Sequence, residues 1–259
     1  MSGCSDYLAL RSALRSLNKD ICTTVATYSL VIRRLMIVSL TIVVSRAITS
    51  PLLTLFLSNK LGLNQQDVGL LLGIAVFIAT LLALYGGYII DRLEKRRLLI
   101  LAMLSSAIGF VLLTFAENLY LTTATLVITE TASALFLNGS KAILSENLPM
   151  GQRTKAFSLR YTLTNIGYAT GPMLGVVIAG VYPIAPFLMA AGIAFFSIFL
   201  MIGVPKDSAP TPAIGQPQSF LKTLITLKND RTLIMFTCGC LLSTVVHGRS
   251  PCTCRNTCW

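Results

Sequence analysis

Seven apolar segments, each close to the roughly 20 residues that a helix needs to cross a lipid bilayer, constrain this chain more than any other feature. They are predicted at 35–57, 67–90, 98–116, 119–140, 156–181, 185–204 and 232–247, the last being short. With 54% apolar and 12% charged residues, the 259-residue chain is far too poor in charge for one or two soluble domains. The segments therefore predict an all-α, polytopic membrane protein.

The formal net charge of +11 raises the possibility of a nucleic-acid surface, and the placement of the cations argues against it. They sit between apolar segments. Connections after the second, fourth and sixth segments carry Arg92, Lys95, Arg96 and Arg97, then Lys141, Arg153, Lys155 and Arg160, then Lys206, Lys222, Lys228 and Arg231. The intervening connections carry only Lys60, and five more cations precede the first segment. This asymmetry predicts a cytoplasmic amino terminus. Residues 1–34 read as a cytoplasmic extension with no evident cleavable signal peptide, 35–204 as a six-helix bundle, and 205–231, Pro-rich at its start, as a cytoplasmic linker.

The tail 248–259 holds Cys252, Cys254 and Cys258 but no second thiol pair, so neither a metal site nor a disulfide framework is expected. Its abrupt change of composition reads as a frameshifted or truncated end. The sequence contains no Gly-x-x-x-x-Gly-Lys-Ser/Thr loop, no His-Glu-x-x-His and no Gly-x-Ser-x-Gly, which argues against ATP-driven or enzymatic chemistry. No cofactor is expected.

Two motifs carry a resemblance. The joint GYIIDRLEKRR, residues 87–97, contains Gly-x-x-x-Asp-Arg-x-x-Lys-Arg in Gly87, Asp91, Arg92, Lys95 and Arg96, with Gly86 and Gly87 expected to close the preceding helix. In the fifth segment Gly167, Gly171 and Gly175 recur every four residues along one helix face, and Pro172 deletes a backbone donor, predicting a close-packed, bent helix. These resemble motifs A and C of the major facilitator superfamily, the second typical of its drug and proton antiporters. RAITSPLLTLFLS in the first segment adds a resemblance to the YdeE-like group of enterobacterial efflux proteins. Glu94 departs from motif A, which has Gly there.

The resemblance implies two six-helix halves, of which this chain would hold the first and the start of the second. It also implies an inner-membrane exporter of small molecules, working by alternating access and coupled to protons. Asp91, with Arg92 and Arg96, would bias the outward-open state; a solvated loop acid is the alternative. A non-transporting half that binds or regulates partners is the other functional reading, and self-association is left open.

Arg46 stands eleven residues into the first segment, about 17 Å deep at 1.5 Å per residue, where a cation is costly unless it faces a partner or a cavity. Glu130 stands eleven residues into the fourth segment, entering from the opposite side. The two reach similar depth and are expected to interact across the cavity, with Glu130 the candidate proton carrier; a helix-packing role is the alternative. Motif B of the family has an Arg roughly where Glu130 stands. Tyr161 and Asn165, one turn apart, are candidates for substrate contact or for bonding a neighbouring helix.

Overall fold

Among the described residues, six helices follow one another between Leu30 and Ile202 with almost no intervening chain. The computed structural model describes residues 28–92 and 94–202 together with Met235 and Gly239, and side chains at 87–92 are not among those described. The chain divides into two units, Met1–Thr211 and Pro212–Trp259. In the second unit Met235 and Gly239 are helical; the predicted linker, most of the seventh segment and the Cys-bearing tail lie outside the described residues, as do residues 1–27 of the extension.

The helices are α1 (Leu30–Leu61), α2 (Gln65–Arg92), α3 (Lys95–Phe115), α4 (Leu119–Glu146), α5 (Met150–Ala179) and α6 (Ala185–Ile202). No strand occurs among the described residues. Helices dominate because a bilayer offers no water to backbone N–H and C=O groups, and a helix satisfies them within itself. All but α5 are apolar and long enough to cross a membrane. α5 is 30 residues long, but Gly, Thr and Asn dilute its apolar character.

Turn chemistry fixes the joints. Gly62 ends α1 at φ 64°, the left-handed conformation that glycine adopts without a Cβ penalty. Asn118 opens α4 by accepting a 2.8 Å hydrogen bond from the Leu121 amide. Two expectations change here. α2 does not close at Gly86 and Gly87 but continues through Arg92, since nothing at these glycines interrupts its hydrogen-bond ladder. Arg160, counted among the connecting cations, lies within α5 and is buried.

α1 packs mainly on α5 and α6, α4 on α2 and α3, and α3 on α6. Exchanging each helix with the one three places along maps this pattern onto itself. Short joints make successive helices antiparallel, so the two three-helix units are related as an inverted repeat. The sequence shows no such repeat, because shape rather than residue identity carries it.

The α1–α5 contact depends on glycine. A side chain at Gly171 would overlap Ala47, one at Gly175 would overlap the Ile48 carbonyl, and one at Gly167 would lie 3.0 Å from Val43 Cγ1. Removing these side chains lets the two backbones approach. α5 runs through Pro172 as one helix.

Two apolar cores stack along the bundle. One joins Leu35, Leu99, Met103, Phe136, Ile143 and Met201, and the other Leu57, Leu71, Phe110, Leu126 and Phe187. A polar belt separates them. In it Ser45 donates to the Ala190 carbonyl at 2.8 Å, while Thr129 and Ser133 are buried on α4. Outward faces are apolar, with Phe77, Leu81, Val177, Phe196 and Phe199 exposed.

The glycine contact gives a direct test. Gly171→Leu should lower stability by about 1–3 kcal/mol through overpacking, whereas Gly73→Leu, whose added carbon meets nothing within 4 Å, should change it by less than about 1 kcal/mol. Thermal melting of the purified protein in detergent compares them; equal melting temperatures would contradict the packing.

Candidate functional site

The polar belt opens into a cavity of about 240 Å³ between α1 and α4. Arg46 Nη2 donates to both carboxylate oxygens of Glu130, at 3.0 Å to Oε1 and 2.8 Å to Oε2. The side chains are 27% and 28% exposed, so the pair is only partly desolvated and one face of each group meets the cavity. Thr49, Ser50 and Leu53 also line it from α1, at three, four and seven residues from Arg46, as one helix face requires. α4 adds Leu126 and Thr129, α3 adds Phe110 and Leu113, and α5 adds Tyr168.

Local sequence explains the placement. Gly109 on α3 leaves room for the Thr129 hydroxyl, which a Cβ would displace. Thr129 donates back to the Thr125 carbonyl at 2.8 Å and Thr49 to the Arg46 carbonyl at 3.0 Å, so both hydroxyls are occupied within their own helices.

Tyr161 and Asn165 are not part of this cavity. Both are exposed on α5, and the Asn165 amide donates to the Tyr161 carbonyl at 3.0 Å. Gly87, Asp91 and Arg92 fall in the last turns of α2, and their side chains are outside those described. Arg96 donates to the Ile202 carbonyl at the end of α6, a favourable place for a cation beside the negative helix terminus. Beside it, Lys95 and Glu146 form a 2.8 Å ion pair that ties the start of α3 to the end of α4.

Sequence reasoning did not single out Tyr168, Ser50 or Phe110. For Ser50 the signal was available in its one-turn spacing from Arg46, and for Tyr168 in its seven-residue spacing from Tyr161; Phe110 arrives from a helix whose rotation only packing determines. Arg160 was missed as an internal cation. It donates from Nη2 to Ser140 Oγ on α4 at 2.8 Å, and its Nε lacks a protein partner. Among the described residues no group of three or more His, Cys, Asp or Glu could hold a metal ion.

A family model for the Major Facilitator Superfamily matches residues 35–248. The chain belongs to that superfamily. It is 30% identical over 215 residues to the uncharacterized MFS-type transporter YdeE of Escherichia coli (strain K12), covering 81% of this chain and 53% of that protein. It is 26% identical over 155 residues to a Na(+), Li(+), K(+)/H(+) antiporter of Planococcus maritimus, covering 58% of this chain and 35% of that protein. It is also 24% identical over 161 residues to the quinolone resistance protein NorA of Staphylococcus aureus (strain N315), covering 61% of this chain and 41% of that protein. The chain thus spans about half the length of YdeE and less of the other two. Superfamily membership and the apolar helices make it a multi-pass membrane protein.

Arg46→Gln or Glu130→Gln alone leaves one uncompensated charge. A fully buried pair costs about 3–5 kcal/mol to break in this way; partial exposure reduces the expected loss to about 1–3 kcal/mol. The double variant should recover more than half of the summed single losses. A double-mutant cycle on melting curves checks this, and strictly additive losses would contradict the pairing.

Proposed function

We propose that this superfamily member is a secondary transporter that exports a small molecule in exchange for protons, with Arg46 and Glu130 as the coupling pair. The observation that carries the reading is an ion pair on the wall of a mid-depth cavity, joining α1 of one three-helix unit to α4 of the other. Protonation of Glu130 removes its charge and weakens its hold on Arg46 across the cavity between α1 and α4. That supplies two arrangements whose balance a proton and a substrate can each shift.

The antiporter and quinolone-resistance names of two relatives favour exchange and efflux. The glycine face of α5, Gly167, Gly171 and Gly175 with Pro172, supports the antiporter branch. Asp91, Arg92 and Arg96 at the α2–α3 joint are proposed to gate the transition, in a bacterial inner membrane with the amino terminus cytoplasmic. A non-transporting membrane half that binds or regulates a partner is the second reading, because the match spans about half the length of YdeE.

The test uses proteoliposomes holding the full chain, an imposed pH gradient and an internal pH dye, challenged with a panel of small amphipathic compounds. At least one compound should evoke proton flux that Glu130→Gln reduces at least tenfold. Flux unchanged by Glu130→Gln would overturn the coupling role, and no flux with any compound would favour the non-transporting reading.

A further inference from the structure

The ion pair uses only part of its own bonding capacity. Arg46 commits a single nitrogen, Nη2, to Glu130, and Nε and Nη1 donate to no group among the described residues. Each Glu130 oxygen accepts one bond from Arg46 and can accept more, since a carboxylate offers about four acceptor sites. Both groups line the same cavity, where the Ser50 and Tyr168 hydroxyls have no hydrogen-bond partner among the described residues and the Phe110 ring contributes an apolar wall.

Charge balance disfavours a singly charged ligand, and the unused donors of Arg46 and acceptor sites of Glu130 favour a zwitterion over an uncharged one. The pair is net neutral, and in a low-dielectric bundle a ligand with one uncompensated charge would leave the site charged, which is costly. A ligand carrying both signs leaves the site neutral. Its carboxylate can accept from the free Nε–H or Nη1–H donors of the guanidinium, and its ammonium can take the remaining acceptor capacity of Glu130. The volume of about 240 Å³ falls below the ~300–1,000 Å³ of sites for drug-sized molecules, pointing to a small body.

We infer that the cavity between α1 and α4 is a binding site for a small zwitterion with an apolar body, its carboxylate on Arg46 and its ammonium on Glu130. This deepens the transporter reading and rests on it: the ligand's ammonium and a proton compete for Glu130, which gives the sign that exchange requires.

The experiment measures equilibrium binding to the full chain in lipid nanodiscs with three compounds that share one aromatic body: phenylalanine (zwitterion), phenethylamine (cation) and 3-phenylpropionate (anion). Phenylalanine should bind at least tenfold more tightly than either. Arg46→Lys keeps a cation for Glu130 but removes the free Nε and Nη1 donors, and should bring phenylalanine within threefold of phenethylamine at an unchanged melting temperature. Glu130→Gln should bring it within threefold of 3-phenylpropionate.

Equal or tighter binding of a singly charged compound to the wild type overturns the inference, as does binding of none of the three. A preference for phenylalanine that survives both substitutions overturns it as well. Glu130-dependent proton flux with some other compound would leave the coupling reading standing while this one fell. Phenylalanine binding without proton flux would do the reverse.

Discussion

A charge at the middle of a bilayer must be matched or hydrated, and that requirement shapes the centre of this bundle. Arg46 and Glu130 meet it together. α1 and α4 otherwise touch little, each packing mainly on helices of its own flank. The ion pair spans the space between them, and the cavity occupies what remains. Two apolar cores, one on each side of the belt, hold the helices at the spacing the pair needs.

The helices differ in how they are fastened. α5 lies on α1 through glycine-permitted backbone proximity, a contact that depends on shape. α1 holds α6 through hydroxyl bonds, Thr41 to Ser197 and Ser45 to the Ala190 carbonyl, both at 2.8 Å. At one end of the bundle Lys95 and Arg96 clasp α4 and α6 electrostatically. A shape contact cannot yield without separating backbones, whereas ionic contacts can exchange partners. The ionic contacts between helices of this bundle include the mid-depth pair and those at the start of α3.

Much of the fold was legible because hydrophobicity along the chain reports the bilayer directly: each apolar segment from 35 to 204 corresponds to one helix. The ends were less legible. Helices run past their apolar stretches wherever polar residues continue the same backbone pattern, as α2 does through Gly86 to Arg92 and α4 does to Glu146. Depth could be counted along a helix, which is how Arg46 and Glu130 were placed at one level. Tyr161 and Asn165 share the helix face of Tyr168, seven and three residues before it, and differ from it in their level along α5, where only Tyr168 lines the cavity. Arg160 was obscured by its nearness to Arg153 and Lys155, which made a buried cation look like part of a basic joint.

The most direct test of the central pair is isotope-edited infrared spectroscopy on the full chain, carrying ¹³C-labelled glutamate and reconstituted in lipid. Subtracting the Glu130→Gln spectrum isolates the carboxylate stretching bands of Glu130. If the pair bridges α1 and α4, those bands shift when Arg46 is replaced by Gln at fixed pH. Bands that ignore the replacement would mean that Glu130 is held by something else, and the account of this site would fail.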